Sequence, residues 1–160
     1  MTLYIYAPDL ELRRELIHYN ETRRITDSGF DLPCLESVLN FQQGYLAAEI
    51  KTGVHCAAVD QRGNGIPFLI LARSSTSKTP LRMSNQIGLA DLGYRGEVFV
   101  RVDCMNQNLQ EYSIEFGRRL FQIVAPNWLP WSKVIIVNEL NELPAAVNNR
   151  GHGGYGSTGQ

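Results

Sequence analysis

The clearest hydrophobic pattern in the sequence is a strict alternation at "VFVRV". Val98, Val100 and Val102 fall on one face of an extended chain, and Phe99 and Arg101 fall on the other. Successive side chains of a strand point to opposite faces of a sheet. This period of two therefore predicts a strand with one buried face.

Other short apolar runs between turn residues predict further strands. "PFLILA" and "SKVIIVNEL" predict buried strands, and "RRLFQIVAP" predicts a strand that ends at Pro126. "DQRGNGIP" and "DLGYRG" contain the Gly, Asp, Asn and Pro residues that favour turns. Because Leu92-Gly93 lies between two strand-like segments, we predict a tight hairpin there.

One segment near the N-terminus has the spacing of a helix instead. In "LELRRELIHY" the residues Leu12, Leu16 and Tyr19 recur at helical spacing, and Asp9 precedes them at a position that caps a helix. The whole pattern predicts an all-β fold with one short helix, arranged as a compact sandwich or barrel. A chain of 160 residues without an internal repeat or a linker is expected to form one domain.

Charge and composition narrow the classes of partner. The formal net charge is −1 and the isoelectric point is about 6.3. A nucleic-acid groove or an anionic membrane surface calls for a basic stripe, so we expect neither nucleic acid nor a membrane as a partner. No apolar run is long enough to span a bilayer, and "MTLYIYAPDLELRREL" lacks the order of a signal peptide. We therefore expect an intracellular protein, in the cytoplasm or nucleus.

The cysteines and histidines are scattered along the chain. Cys34, Cys56 and Cys104 are odd in number and form no CxxC pattern. This usage indicates reduced structural thiols in a reducing compartment. The spacing of the three histidines does not indicate a zinc site.

Two polar stretches carry candidate chemistry for phosphate and metal. "TDSGFDLPC" places Asp31 after a glycine turn, where its carboxylate suits the waters of a magnesium ion but also an ordinary turn. "ILARSSTSK" places Arg73, Ser74 and Ser75 after a predicted buried strand. A guanidinium and hydroxyl groups suit phosphate oxygens, although a polar loop at a strand end has the same composition.

Three more stretches are candidates for the remaining parts of a nucleotide site. "NQIGLADLGYRGEV" holds Asp91 before the predicted turn and Tyr94 after it, which suits a base beside a ring-containing substrate or an ordinary turn. "FGRRLFQIV" has Gln122 within an apolar strand, where a buried amide needs partners. "RGHGGYGSTGQ" ends the chain, and Arg150 and Tyr155 suit a phosphate and a base unless the segment is a disordered terminus.

In their order and combination, the five stretches resemble the ordered motifs of the trimeric dUTP diphosphatases (dUTPases). The matching segments are DSGFDL, ARSS, GLADLGYRGE, GRRLFQ and RGHGGYGSTG, which run from about residue 26 to the C-terminus. The resemblance implies a distorted antiparallel β jelly roll of the β-clip type. It also implies two parts, a dUTPase-like β domain at 1–147 and a flexible glycine-rich tail at 148–160 that closes the active site.

The resemblance also implies the reaction and the assembly. Members of the family hydrolyse dUTP to dUMP and diphosphate with Mg²⁺, which limits uracil in DNA and supplies dUMP for thymidylate synthesis. They form homotrimers with three active sites at subunit contacts. Each site takes the first, second and fourth motifs from one chain, the third from another and the fifth from the last.

The resemblance gives each candidate residue a role. Asp91 corresponds to the aspartate that orients and deprotonates the water attacking the α-phosphorus. Tyr94 corresponds to the tyrosine under the deoxyribose, Asn85 and the backbone around Leu89 to the surface that binds uracil, and Asp31 to the acid that reaches magnesium through water. The phosphate contacts and the tail clamp correspond to Arg73, Ser74, Ser75, Gln122, Arg150 and Tyr155.

The tail is expected to order only around the substrate. Ordering costs about 1–2 kcal/mol per residue, whereas stacking on a base contributes about 1–3 kcal/mol and a charge-assisted hydrogen bond about 1.5–3 kcal/mol. These quantities nearly balance over a short segment. We therefore expect a tail that is mobile without nucleotide and ordered with the triphosphate.

The sequence departs from the family pattern at several positions, and two other functions remain open. Ala90 stands where Ile or Val is usual and Ala72 where Pro is common, while Arg118 and Phe121 replace an acidic and a small residue of the fourth motif. One alternative is a non-catalytic nucleotide-binding or regulatory protein that keeps the pocket. Another is a dCTP deaminase, which needs a glutamate on the strand after the third motif, where this chain has Arg101.

Overall fold

The fold consists of short strands with one α-helix near the N-terminus. The computed structural model describes residues 1–41 and 47–145, and α1 spans Leu10–Thr22. Short 3₁₀ helices occur at Ser74–Lys78 and Leu140–Glu142. The strands are β1 (Thr2–Tyr6), β2 (Gly29–Pro33), β3 (Ser37–Asn40), β4 (Ala47–Val59), β5 (Gly65–Ile66), β6 (Phe68–Ala72), β7 (Leu81–Met83), β8 (Gly88–Ala90), β9 (Glu97–Cys104), β10 (Glu111–Ile114), β11 (Arg119–Val124) and β12 (Lys133–Val137).

The strands form three sheets around a shared core. A six-stranded sheet has the order β12-β1-β4-β9-β7, with β5 paired to β4. A four-stranded sheet has the order β2-β11-β6-β8, and β3 pairs with β10. Neighbouring strands are antiparallel except β1 and β12, which are parallel. Buried side chains of both larger sheets, among them Leu3, Phe30, Val100 and Ile123, belong to one hydrophobic cluster, which confirms the prediction of an all-β fold with one helix.

The strands lie where the hydrophobic pattern predicts them. In β9, Val98, Val100 and Val102 are at most 1% exposed, whereas Arg101 faces outward. The runs "PFLILA", "RRLFQIVAP" and "SKVIIVNEL" contain β6, β11 and β12. Burial of alternate positions therefore explains β9. Of the three apolar runs, β11 is the most buried, whereas β6 and β12 keep partly exposed positions.

The predicted helix is also confirmed. The Asp9 side chain accepts a hydrogen bond of 2.8 Å from the backbone N–H of Leu12, as a helix cap does. Leu12 and Leu16 are buried, and Tyr19 packs against the core with part of its surface exposed. The helix therefore covers the body of the β-fold with one side.

The hairpin predicted at Leu92-Gly93 is wrong, although a turn is present. The backbone N–H of Tyr94 donates to the carbonyl of Asp91 at 2.9 Å, which closes the turn. The flanking strands belong to different sheets, since β8 pairs with β6 whereas β9 pairs with β4 and β7. Turn residues specify a chain reversal, but packing selects each strand's partner. Here β8 lies so close to β6 that a Cβ at Gly88 would be 3.0 Å from the Cβ of Ile70.

The cysteines are buried free thiols. Cys34, Cys56 and Cys104 all lie in the core, and none forms a disulfide. Burial raises the pKa of Cys34 to about 11 and also raises the pKa of Cys56. The prediction of structural thiols is confirmed, while the reducing compartment stays a prediction.

Two further sequence predictions concern the C-terminal tail and the absence of a membrane-spanning segment. Arg150, Tyr155 and the boundary between the predicted body and the tail at 148–160 lie outside the described residues. Within the described part of the chain, no helix is long and apolar enough to cross a membrane.

Candidate active site

Asp31 is the centre of a charged cluster on the four-stranded sheet. It lies in the middle of β2, is 8% exposed, and its Oδ1 is 2.7 Å from Nε of Arg73. Its Oδ2 is 3.9 Å from Nε of Arg119. Burial raises the pKa of the Asp31 carboxyl, and the two guanidinium groups oppose that rise. The carboxylate is therefore held between two cations at a site with little contact with water.

The ARSS stretch is bound to the beginning of β11. Nη1 of Arg73 donates to the carbonyl of Arg119 at 2.7 Å, and the Ser75 hydroxyl donates to the same oxygen at 3.3 Å. The Thr76 hydroxyl donates to the carbonyl of Leu120 at 2.5 Å. Ser74 is exposed beside these groups. These bonds fix Arg73 and the hydroxyl groups over the edge of the sheet where Asp31 lies.

Gln122 completes this cluster. It pairs with Asp31 in the register of β11 and β2, and its Nε2 donates to the carbonyl of Ala72 at 3.3 Å. Its side chain lies over Gly29, where a Cβ would be only 1.9 Å from Oε1 of Gln122. Glycine at position 29 therefore leaves the space that the amide occupies.

Arg118 and Phe121, the two residues of the fourth stretch that differ from the family pattern, do not disturb the cluster. The guanidinium carbon of Arg118 is 5.7 Å from the ring centroid of Tyr112, so this cation packs on β10. Phe121 is fully buried in the core. The structure thus brings the first, second and fourth stretches together, and the residues they contribute are Asp31, Arg73, Ser74, Ser75 and Gln122.

The third stretch forms a second group of candidates. Asn85 is exposed in the turn before β8, and Leu89 on β8 is 63% exposed. The Tyr94 hydroxyl donates to the carbonyl of Glu97 at 2.7 Å, and a Cβ at Gly96 would be 2.6 Å from that hydroxyl. The ring is therefore folded over Gly96 and held in one orientation, and the backbone N–H of Tyr94 donates to the carbonyl of Asp91.

In one chain the two groups lie at opposite ends of β6. Ala90 pairs with Phe68 at the start of β6, so Asp91 follows at that end. Arg73 directly follows Ala72, the last residue of the strand. A rise of about 3.3 Å per residue puts the two backbones about 20 Å apart. Asp91 and Arg73 of the same chain therefore do not face one small ligand.

Arg95 is a structural residue that the sequence did not single out. Its guanidinium donates to the carbonyl of Pro144 at 2.7 and 2.9 Å and to that of Ala145 at 3.3 Å. It also donates to the carbonyls of Leu92 and Tyr94 at 3.1 and 2.6 Å. Burial lowers the pKa of Arg95. This side chain joins the Asp91–Tyr94 turn to the last described residues.

Arg119 is a site residue that sequence reasoning missed. An ideal alternation along β11 would place Arg119 and Gln122 on opposite faces, because they are an odd number of positions apart. The pairing with β2 shifts register between Arg119 and Phe121. A bulge re-aims side chains in this way, and the only signal in the sequence is the Gly117 turn before it.

The described residues do not offer a complete set of metal ligands. Within residues 1–41 and 47–145, no group of three or more His, Cys, Asp or Glu side chains could hold a metal ion. Among the residues of the charged cluster, Asp31, Arg73, Ser74, Ser75 and Gln122, only Asp31 carries a carboxylate. This donor chemistry fits an ion that is bound mainly by ligand phosphates and reached by the protein through water.

Comparison with known proteins gives relatives that share one name, although no family model matches the chain. Deoxyuridine 5′-triphosphate nucleotidohydrolase of Desulfitobacterium hafniense is 32% identical over 136 residues, covering 82% of this chain and 81% of the relative. The enzyme of the same name from Idiomarina loihiensis is 34% identical over 137 residues, covering 83% of this chain and 82% of the relative.

Solved structures share the fold. The dUTPase of phage phi11 of S. aureus has a TM-score of 0.59 at 24% identity, covering 81% of this chain and 93% of the phage chain. Staphylococcus bacteriophage 80alpha dUTPase has a TM-score of 0.58 at 24% identity, covering 80% of this chain and 92% of that chain. The predicted dUTPase-like jelly roll is thereby confirmed.

Fold and relatives together define the class, which is that of nucleotide hydrolases. Within that class, the chain belongs to the deoxyuridine 5′-triphosphate nucleotidohydrolase (dUTPase) family.

Proposed function

We propose that this protein hydrolyses dUTP to dUMP and diphosphate through attack of water on the α-phosphorus. Relatives that share about four fifths of their length with this chain carry that activity in their names. A variant of the 80alpha dUTPase, 25% identical with a TM-score of 0.52, has been solved with dUpNHpp. The activity would limit uracil in DNA and supply dUMP for thymidylate synthesis.

The cluster around Asp31 is proposed to bind the triphosphate. Arg73 is fixed by its bonds to Asp31 and to the carbonyl of Arg119, and 30% of its side chain remains exposed. Ser74, Ser75 and Gln122 add hydroxyl and amide donors nearby. Planar cations and neutral donors that are already in place stabilise charge on phosphate oxygens with little reorganisation.

Asp91 and Tyr94 are proposed to act on the water and the sugar. Asp91 orients the attacking water and takes its proton, while the Tyr94 ring packs under the deoxyribose and excludes a 2′-hydroxyl. The hydrogen bond from Tyr94 to Glu97 supports this role, because a fixed ring excludes the larger sugar more firmly than a mobile one. Asn85 and the backbone around Leu89 bind the uracil.

A magnesium ion is proposed to accompany the triphosphate. When bound it offsets phosphate charge and holds the chain of phosphates in one shape. Asp31 is the residue that would reach it through water. A variant of the phi11 dUTPase, 24% identical to this chain, has a structural Mg(II) ion whose coordination was described.

The assembly proposed for this activity is a homotrimer. The single observation that carries it is the separation of Asp91 from Arg73 along β6, since one chain does not bring both to the same phosphates. A neighbouring chain would supply the third stretch to the first, second and fourth. The tail at 148–160 of another chain would then close the site, with Arg150 on phosphate and Tyr155 on the base.

Release of diphosphate from dUTP with Mg²⁺ tests the proposed function. Asp91→Asn keeps the shape of the side chain but removes the base, and such a loss costs about 10²–10⁴-fold in rate. We expect dUTP binding to remain and turnover to fall by that factor. Asp60→Asn, a change in the exposed turn between β4 and β5, is the matched control and should turn over normally.

Measurements of dUTP binding and of ammonia release from dCTP, made beside this assay, distinguish the alternatives. Tight dUTP binding by the parent without diphosphate release would indicate a non-catalytic nucleotide-binding protein. Release of ammonia from dCTP would indicate a deaminase. Turnover by Asp91→Asn within a few-fold of the parent would show that another group is the base.

A further inference from the structure

Helix α1 lies outside the five nucleotide-site stretches but contacts their charged cluster through Tyr19. The guanidinium carbon of Arg119 is 4.6 Å from the centroid of the Tyr19 ring. The Tyr19 hydroxyl accepts a hydrogen bond of 3.3 Å from the backbone N–H of Asp31. The ring also meets Phe30 edge to face, with centroids 5.0 Å apart. Tyr19 therefore contacts both members of the Asp31–Arg119 pair.

The Arg119 side chain is held from two directions. The Tyr19 ring covers its guanidinium face, and Asp31 Oδ2 lies 3.9 Å from its Nε. With 41% of its side chain exposed, Arg119 still reaches the surface. Its carbonyl accepts hydrogen bonds from Arg73 and Ser75, so its backbone is tied to the ARSS stretch as well. Arg119 is the point at which the helix, β2 and the ARSS stretch meet.

The Tyr19 hydroxyl also pairs with one backbone N–H on the outer edge of the sheet. β2 is the end strand of the four-stranded sheet and has β11 on one side only. The backbone N–H of Asp31 points to the side away from β11, where it donates to the Tyr19 hydroxyl. A covered strand edge is protected from pairing with other chains. The same contact fixes the backbone that carries the Asp31 carboxylate.

We propose that Tyr19 is a positioning residue for binding of the substrate phosphates, acting through the contact of its ring with Arg119. The inference rests on the proposed function, because it extends the phosphate site by Arg119 and by a helix residue. A guanidinium that is already oriented over a ring loses less freedom when a phosphate binds. The helix thereby contributes to the affinity for dUTP and not only to the core.

If helix α1 contributed only to the stability of the fold, loss of any of its packing residues would have the same effect. Leu12 provides a matched control for that case. Leu12 lies on the same helix and is fully buried, but it packs over Gly53, where a Cβ would be 2.8 Å from Leu12 Cδ2. Leu12→Ala removes helix packing without touching the Asp31 cluster. It should lower the Tm and leave the KM for dUTP unchanged.

The experiment compares Tyr19→Leu with Tyr19→Phe in steady-state dUTP hydrolysis. For Tyr19→Leu we expect the KM to rise about three- to tenfold, the range that a lost cation–π contact corresponds to, with a smaller change in kcat. Tyr19→Phe keeps the ring and should recover most of the parental KM. If Tyr19→Leu does not purify as a folded protein, Tyr19→Met replaces it.

A double-mutant cycle with Arg119→Gln tests the route through Arg119. Arg119→Gln alone should raise the KM, and adding Tyr19→Leu to it should raise the KM little further. A parental KM for Tyr19→Leu, or fully additive effects in the double variant, would overturn the inference. A parent that releases no diphosphate from dUTP would instead overturn the proposed function, so the two failures are distinguishable.

Discussion

The buried carboxyl of Asp31 illustrates how a single residue can be unfavourable for folding and still suit a proposed functional role. Burial raises the pKa of its carboxyl more than Arg73 and Arg119 lower it. The ionised side chain therefore costs folding free energy in the empty protein, even though it forms an ion pair of 2.7 Å. Such pairs often contribute little net stability because both charges lose water. A residue that is unfavourable for folding at this position is consistent with a functional role.

Asp31→Asn should separate the two effects. At pH 7 we expect the variant without ligands to melt at the same temperature as the parent or above it, since the cost of burying a charge is removed. Arg73 keeps the carbonyl of Arg119 as a partner. Turnover of dUTP should nevertheless fall. Thermal unfolding and diphosphate release on the same preparations measure both.

The sign of the pH dependence follows from the raised pKa. The folded parent binds the Asp31 proton more tightly than the unfolded chain, so the cost of ionisation is present above the folded pKa and disappears as the pH falls toward the unfolded value of 3.8. The difference in Tm between Asp31→Asn and the parent should therefore shrink between pH 7 and about pH 4. Asp27→Asn, an exposed change nearby, is the control and should show little difference at either pH. A large loss of Tm for Asp31→Asn at pH 7 would contradict this account.

At the scale of elements, Arg95 holds the Asp91–Tyr94 turn to Pro144 and Ala145, the last described residues. Its bonds to Pro144 and Leu92 join parts of the chain that are about fifty residues apart in sequence. The strands that flank this turn belong to different sheets, so no backbone hydrogen bonds between them fix its position. The guanidinium supplies the missing donors to the carbonyl groups.

Arg95→Gln should destabilise the fold by about 1–3 kcal/mol, because several carbonyls lose a charged donor at once. Arg95→Lys keeps the charge but not the planar fork, so it should recover only part of the loss. Arg82→Gln breaks an exposed pair with Asp103 and is the control, with an expected cost of about 0–1 kcal/mol. Urea unfolding of the three variants measures these differences. Equal effects of Arg95→Gln and Arg82→Gln would show that the bonds of Arg95 are not important for stability.

At the scale of the whole molecule, the proposed homotrimer would make contacts between chains part of the active site, because Asp91 and Arg73 lie at opposite ends of β6. Light scattering should give a mass of about three times 18.0 kDa. Asp91→Asn and Arg73→Gln should each be inactive as pure proteins. After mixing and reassembly, hybrid trimers should recover part of the activity, because some sites combine an intact Asp91 with an intact Arg73. An active monomer, or no recovery in the mixture, would contradict a shared site.

The tail gives a second prediction at this scale. Truncation after Asn148 removes Arg150 and Tyr155 and leaves the sheets and their core unchanged. The Tm should hardly change, because chain termini of this composition bury little surface. Turnover should fall by a large factor, since closure would exclude water and bring a cation to charge that develops on the leaving diphosphate. Normal turnover by the truncated protein would remove any role for Arg150 and Tyr155.

The sequence by itself determined the elements and most of the chemistry. Alternation in "VFVRV", the apolar run of β6 and the cap at Asp9 depend on neighbours a few positions away, and such local patterns survive into the fold. The candidates Asp31, Arg73 and Gln122 were found because their residue types suit phosphate and metal and their order resembles a family.

Only the tertiary structure decided which elements meet. The Leu92-Gly93 turn joins two sheets instead of a hairpin, because strand partners are selected by packing across the core. Arg119 joins the Asp31 cluster through a register shift that no periodicity reveals. Tyr19 reaches the same cluster from a helix that the motifs do not include. Each of these contacts joins residues distant in sequence, and their geometry depends on how whole sheets pack.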